Sequence, residues 1–227
     1  MKRPSCQRCL RPHAACLCAA LPATAIANCW PVHILQHTQE RKHALNTARI
    51  AVLGLQQCLL HAVTDEPVEA VLPSELLATL ANALLIYPAA DSADVSQLAT
   101  EEVAGRPLLL LDASWRKSRR LLLASPWLQQ LPTISVALPT PSRYRIRREP
   151  QPGYCSSLEA LLYVMGTLEG NHARYAPLLR GWMAWLISRL NGWGKILIAA
   201  IICGSFRTQC ACIRRTAVRA DIGWPTA

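Results

Sequence analysis

A run of four leucines that ends on an acid, from Leu108 to Asp112, restricts the folds open to this chain. A strand without polar alternation is buried on both faces, and such strands occur in parallel sheets that carry helices on both sides. The other predicted elements are strands within 30–37, 83–88 and 132–138 and helices within 41–60, 114–124 and 156–169. Strands that alternate with helices predict a layered α/β fold with a parallel-sheet core.

The composition supports one folded domain of ordinary size, with room for a small appendage. The chain has 227 residues, 52% of them apolar and 17% charged, which allows a substantial core and excludes a disordered chain. Its basic start is not followed by an apolar run, and the apolar segment 196–202 is too short to cross a bilayer. We therefore expect a cytoplasmic protein with reduced thiols and no membrane partner.

Four of the ten cysteines are clustered near the start of the chain, within residues 1–20. They form a C-x-x-C pair and a C-x-C pair at Cys6, Cys9, Cys16 and Cys18. This ligand number and spacing are typical of one tetrahedral zinc ion, and four protein ligands favour a structural role. Free surface thiols or an oxidised pair are the alternative.

A chemical centre is predicted where the leucine strand ends, at Asp112-Ala113-Ser114-Trp115. Ligands of open α/β sheets bind at the carboxyl ends of strands, and an acid there can serve as a general base. The alternative is an aspartate that caps the following helix, and the two roles are compatible.

The formal net charge of +10 points to a polyanionic partner such as nucleic acid. Eight of the 24 basic residues form two short runs, at 116–120 and 143–148, and Tyr144 within the second could stack on an extruded base. The candidate RNA-binding residues are Arg116, Lys117, Arg119, Arg120, Arg145, Arg147 and Arg148. A solvated basic face without a ligand is the alternative.

Four motifs follow one another in a set order along residues 5–190. They are the cysteine pattern, Ile34-Leu35-Gln36-His37-x-x-Glu40 with Asn46-Thr47, Asp112-x-Ser114-Trp115, and Ser157-Leu158-Glu159-Ala160. In this order they resemble the motifs of the DTW-domain tRNA-uridine aminocarboxypropyltransferases. The family usually has threonine where Ser114 and Ser157 stand here; a hydroxyl is kept, so we expect function to survive.

The resemblance implies a SPOUT-like α/β fold with a knotted cofactor-binding region. It also implies S-adenosylmethionine as donor and a uridine of the tRNA variable loop as acceptor. Within the family motif, Asp112, Ser114 and Trp115 are the expected catalytic residues. The expected domain division is a zinc module at 1–20, the catalytic domain at 21–191 and an atypical basic and apolar tail at 192–227 that carries no chemistry.

The donor itself is expected to bind near two other segments. The helix start at Ser156 and Ser157 could hold its carboxylate, and Tyr87 and Pro88 end a strand that could line the same pocket. Glu159 has capping-box spacing to Ser156, which explains it without any ligand.

Two other functions compete with this prediction. A SPOUT-type RNA methyltransferase would use the same donor but transfer its methyl group. A zinc-ribbon RNA-binding protein would have no catalytic role. An acid directly after a buried strand favours an enzyme over the binding protein.

Overall fold

The chain folds around a six-stranded sheet in a computed structural model that describes residues 4–42, 46–137 and 155–189. The strands are β1 Val32–His37, β2 Cys58–Val63, β3 Leu84–Ile86, β4 Ala93–Asp94, β5 Leu108–Asp112 and β6 Thr133–Ser135. Their order is β2-β1-β5-β3-β6-β4, and every neighbouring pair is parallel. The predicted α/β fold with a parallel-sheet core is confirmed.

Helices cover both faces of the sheet. They are α1 Ala48–Gly54, α2 Val68–Val71, α3 Ser74–Thr79, α4 Thr100–Val103, α5 Trp115–Ala124, α6 Pro126–Gln129, α7 Ser157–Leu168 and α8 His172–Arg189. One buried cluster joins Leu108 and Leu110 to α1, α7 and α8, and we call this side the first face. The second face joins Leu109 and Leu111 to α2, α5 and α6. Alternate leucines of β5 therefore serve opposite layers, as the run predicted.

The helix predicted over residues 41–60 is wrong in its second half. Helix α1 ends at Gly54, and Leu55 is already extended, with φ −114° and ψ 146°. Gly54 is close to α8: a Cβ atom there would lie 2.4 Å from Leu178 Cδ1. The chain then turns and forms β2, whose apolar residues gave no periodicity that separates a short strand from a continuing helix.

The cysteine segment packs onto α8 and α1 through polar and apolar contacts. Trp185 of α8 donates its indole N–H to the Cys16 carbonyl at 3.2 Å, and the Arg11 guanidinium lies 4.9 Å from its ring centroid. Gly181 allows the approach, since a Cβ atom there would meet the Ala20 carbonyl oxygen at 1.8 Å. Cys9 belongs to the first-face core. The segment is thus part of the hydrophobic core and does not stand apart from it.

In the described ranges, no helix combines the length and apolar character that crossing a bilayer requires. The apolar segment 196–202 and the rest of the predicted tail lie outside those ranges. The predicted domain limits at residues 20 and 191 stay predictions.

Candidate functional site

Polar side chains collect at the edge of the sheet where the parallel strands end. Strand β5 ends at Asp112, its neighbour β1 ends at Gln36 and His37, and Asp65 follows β2 by two residues. Parallel strands bring their carboxyl ends to one edge, so these residues become neighbours although they are far apart in sequence. We call this edge the carboxyl edge.

Asp112 is held by an amide from the adjacent strand. Gln36 and Asp112 are register partners across β1 and β5, and Gln36 Nε2 donates to Asp112 Oδ2 at 2.7 Å. Both side chains are buried, with Asp112 8% exposed. Both follow the alternation of first-face residues, so they point toward the layer of α1 and α7.

Ser114 and Trp115 begin the helix that follows. Ser114 holds the N-cap position of α5 without a side-chain capping bond, so the cap position belongs to Ser114 and not to Asp112. Trp115 is 39% exposed, which is unusual for so large an apolar ring. The predicted catalytic residues are therefore consecutive at the carboxyl edge; their roles stay a prediction.

A second polar cluster lies on the other face of the same edge. His37 Nδ1 accepts the backbone N–H of Gln39 at 3.2 Å, so Nε2 carries the proton that His37 donates to Asp65 Oδ1, also at 3.2 Å. Lys117 Nζ lies 3.4 Å from His37 Nδ1 and bonds Gln39, and Arg120 forms an ion pair with Asp65. We call these five residues the His37 cluster.

The predicted RNA-binding residues divide into three groups. Arg116 and Arg119 are exposed on α5. Lys117 and Arg120, on the same helix, belong to the His37 cluster. Arg145, Arg147 and Arg148, with Tyr144, lie outside the described residues.

The predicted donor-binding residues are not gathered at one point. Ser156 caps α7 and accepts the Glu159 N–H at 3.2 Å, while Glu159 Oε2 accepts the Ser156 N–H at 2.9 Å. This complete capping box accounts for Glu159 as a stabilising residue of the helix start. Ser157 follows as the first residue of α7, half-buried. Tyr87 packs against the second-face cluster, opposite to Asp112, and Pro88 is exposed.

The start of α7 lies toward the carboxyl edge. At its other end, the Leu168 carbonyl accepts from Thr100 Oγ1 at 3.5 Å and Glu169 accepts from the Cys29 N–H at 2.9 Å. Thr100 and Cys29 precede β5 and β1, so the last turn of α7 is at the amino edge. A helix of 12 residues spans about 18 Å, comparable to the strands, so Ser157 lies on the side of Asp112.

The four cysteines of the predicted metal site are brought together. Their sulfur atoms all lie within 4.8 Å of one another, and the pairs Cys6–Cys18 and Cys9–Cys16 are each 3.7 Å apart. A disulfide requires about 2.05 Å. A tetrahedron of sulfur atoms about 2.3 Å from a central zinc has edges of about 3.8 Å. The separation therefore fits a shared metal ion and not a disulfide.

The close approach of the four sulfur atoms also disturbs the ionisation of the thiols. Hydrogen bonds from the backbone of Cys9 and Arg8 lower the pKa of the Cys6 thiol to about 6. Burial raises the pKa of the Cys18 thiol to about 12, and the neighbouring cysteines add to the effect. Four thiolates this close repel one another unless a cation neutralises them. The cluster could hold a metal such as zinc.

Asp65 is a charged site residue that the sequence analysis missed. It follows β2, the strand that was predicted as helix, so nothing placed it at the carboxyl edge. Gln36 and His37 were noticed only through the family motif. An amide directly after the apolar pair Ile34 and Leu35, inside a predicted strand, is the sequence signal that marks Gln36.

Comparison with known proteins agrees with the motifs. The family model described as DTW domain matches residues 3–190. A Drosophila melanogaster protein named tRNA-uridine aminocarboxypropyltransferase 2 is 30% identical over 189 residues, which cover 79% of this chain and 72% of that protein. An Arabidopsis thaliana tRNA-uridine aminocarboxypropyltransferase A is 27% identical over 199 residues, or 74% of each chain. The Macaca fascicularis protein named like the first is 25% identical over 79% of this chain, which spans 61% of its length.

The chain belongs to the DTW-domain family. The prediction of a transferase is confirmed by this membership and by the names of the relatives. No solved structure matches the chain.

Proposed function

We propose that this protein transfers the 3-amino-3-carboxypropyl group of S-adenosylmethionine to N3 of a uridine in tRNA, with the variable loop as the location of that uridine. The observation that carries the proposal is a buried carboxylate, Asp112, held by Gln36 at the carboxyl edge of the sheet in a DTW-domain chain. The names of the relatives support the reaction and the tRNA substrate.

The proposed reaction requires two things of the protein, a base and correct positioning of the substrates. Uridine N3 forms a bond to the carbon next to sulfur, and the carbon–sulfur bond breaks with its electron pair moving to sulfur. The sulfonium becomes the neutral thioether methylthioadenosine. The N3 proton has to leave, and we infer that the Asp112 carboxylate accepts it. Because the donor is already activated, alignment of N3 with that carbon supplies much of the remaining acceleration.

The substrates are proposed to bind around Asp112 at the carboxyl edge. The N-terminus of α7, with Ser156 and Ser157, lies on the same side, and its backbone amides suit the donor carboxylate. The exposed Trp115 ring suits stacking on the uridine base. Tyr87 and Pro88, at the end of β3, take part only if the donor reaches across the sheet edge.

The remaining parts of the proposal follow from the family and the charge. Basic residues of α5, chiefly Arg116 and Arg119, bind tRNA phosphates, together with Arg145, Arg147 and Arg148. The four cysteines hold one structural zinc ion. The protein works in the cytoplasm. The SPOUT-like fold with a knotted cofactor-binding region is proposed from the family resemblance alone, and an experimental structure of the whole chain tests it.

The by-product of the reaction distinguishes this function from methyl transfer. Purified protein is incubated with unmodified tRNA and S-adenosylmethionine, and nucleosides are identified by mass spectrometry. We expect methylthioadenosine and a uridine heavier by the aminocarboxypropyl group. S-adenosylhomocysteine would establish a methyltransferase, and tRNA binding with no product would favour the non-catalytic RNA-binding protein.

Replacing the base tests its assignment separately. Asp112→Asn keeps the shape of the side chain but cannot accept the proton, so turnover should fall by roughly 10²–10⁴-fold with donor binding retained. Asp91→Asn, at an exposed aspartate, is the matched control and should react like the unmodified protein. If Asp112→Asn is as fast as the control, the reaction stands and another group is the base.

A further inference from the structure

The amide of Gln36 has one orientation that suits its surroundings. Asp112 as a carboxylate can only accept hydrogen bonds, so the nitrogen of Gln36 and not its oxygen must face it. The bond of 2.7 Å is short for an N–H donor, which is typical of a charged acceptor. The protein thus presents a fixed N–H to one carboxylate oxygen from the neighbouring strand.

The burial of Gln36 makes the contact specific. Along the same face of β1, Val32 and Ile34 precede Gln36 and belong to the apolar core. An amide in the next position is 3% exposed, and a buried amide is costly without a partner. Its partner is Asp112, one position across the sheet. The strand therefore changes from core-forming to polar at the residue that faces the proposed base.

We propose that Gln36 is the positioning residue of this site, which fixes the orientation of the Asp112 carboxylate and keeps it ionised for accepting the uridine proton. The inference rests on the proposed function only for the role of Asp112 as base. A hydrogen bond donated to a carboxylate favours the ionised form over the acid. Holding one oxygen also limits rotation of the carboxylate, which reduces the reorganisation needed when the substrate binds.

Five charged or titratable groups near this edge bond to partners other than Asp112. His37, Asp65, Lys117 and Arg120 bond among themselves on the second face, away from Asp112. Glu159, at the start of α7 on the first face, bonds to the Ser156 backbone in the capping box. The Gln36 amide reaches Asp112 from the neighbouring strand of the sheet, at the register position directly opposite.

Two substitutions of Gln36 separate the effect of its hydrogen bond on the Asp112 carboxylate from the effect of its shape. Gln36→Leu removes the donor at similar volume, and Gln36→Glu keeps the shape but places a second carboxylate beside Asp112. The titration of the Asp112 carboxyl is followed by NMR with ¹³C-labelled aspartate, which needs no activity. We expect its midpoint to rise by on the order of one pH unit in Gln36→Leu and further in Gln36→Glu, where the two acids share a proton.

Kinetics of the same variants then test the consequence for turnover. We expect kcat to fall roughly ten- to a hundred-fold, with the acid limb of the pH–rate profile displaced upward and KM for the donor nearly unchanged. The control is Gln57→Leu, the same substitution at the opposite edge of the sheet, where Gln57 donates to the Asn28 carbonyl. Its NMR titration and pH profile should match those of the unmodified protein.

The outcomes distinguish failure of this inference from failure of the proposed function. An unchanged Asp112 titration in both folded Gln36 variants, or a displacement equal to that in Gln57→Leu, overturns the positioning role. A displaced titration with an unmodified protein that yields no methylthioadenosine leaves the Gln36–Asp112 pair established and rejects the reaction. If Gln36→Leu does not fold, the isosteric Gln36→Glu gives the same decision alone.

Discussion

Single polar residues buried beside the sheet make stability depend on pH. His33 of β1 and His61 of β2 stack with ring centroids 5.2 Å apart and planes 8° from parallel. Their nitrogens lie 3.0 Å apart, so one ring donates to the other while both are neutral. Burial and the neighbouring His61 lower the pKa of His33, and burial lowers the pKa of His61. Burial also lowers the pKa of His172.

These lowered pKa values predict loss of stability on acidification. In the unfolded chain these histidines take up protons at an ordinary pKa near about 6.5. In the folded chain their pKa values are lower, so they stay neutral at that pH. The contribution of these histidines to the free energy of unfolding is therefore greatest above that pH. It falls as the pH drops toward their lower pKa values in the folded state. Urea unfolding at several pH values between about 5 and 8 measures the slope.

A substitution assigns part of that slope to the stacked pair. His61→Gln keeps a polar group near His33 but removes one titrating ring, so the fall in stability below about pH 6.5 should become shallower. His13→Gln, at an exposed histidine, should leave the slope as it was. Equal slopes in both variants would mean that the pair does not contribute to the acid sensitivity.

At the residue scale, the sequence predicted what lies within one segment and missed what depends on pairing. Asp112, Ser114 and the Ser156–Glu159 capping box follow from local patterns, and the structure places them as those patterns indicate. Asp65 could not be placed, because its position depends on a strand that the sequence did not separate from a helix. The role of Gln36 could not be predicted either, because it depends on which residue of β5 lies opposite in the sheet.

At the element scale, α5 has two different basic sides. Leu121 packs in the second-face core, and Lys117 and Arg120 bond to other residues of the His37 cluster. Arg116 and Arg119 are exposed and are the residues that can meet phosphate without breaking an ion pair of the fold. The basic run 116–120 looks uniform in the sequence. In the helix, two of its side chains bond to neighbouring residues of the protein and two are exposed to a ligand.

This division predicts which arginines govern the salt dependence of tRNA binding. Replacing Arg116 and Arg119 by glutamine should weaken binding and reduce the slope of log K against log salt by roughly 0.7–0.9 for each phosphate that the protein no longer neutralises. Arg180→Gln, at an exposed arginine of α8, is the control and should keep the slope. Unchanged slope in the double variant would place the tRNA-binding surface elsewhere, with residues 145–148 next to be tested.

Element prediction succeeded where burial was unambiguous and failed where it was not. Strand β5 lies inside the sheet and is apolar up to its last residue, Asp112, and α5 and α7 have helical patterns with clear starts. All three were therefore predicted close to their observed limits. Strand β2 is at the edge of the sheet, with Leu59 57% exposed, and carries no alternation that separates it from a helix. Its pairing with β1 is a tertiary effect that overrides local pattern.

At the scale of the whole molecule, the cysteine segment and the sheet domain share one hydrophobic core. Cys9 and Leu17 belong to the same buried cluster as Trp182 and Trp185 of α8. The Arg11 guanidinium also donates to the Asn46 carbonyl at 3.0 Å, which joins the segment to the chain just before α1. A metal ion that orders the four cysteines therefore also fixes the packing of the segment on two helices of the first face.

Loss of the metal should consequently lower the stability of the entire fold. We expect about one zinc per chain by elemental analysis, and Cys9→Ser should lose it and reduce the free energy of unfolding by more than about 3 kcal/mol. Because the core is shared, calorimetry should show one transition that moves to lower temperature, and not the disappearance of a separate one. Cys29→Ser, at an exposed cysteine outside the cluster, should keep both the zinc and the transition. A Cys9→Ser protein with a full complement of zinc and an unchanged transition would contradict the metal site, while zinc loss without a shift of the transition would contradict the shared core.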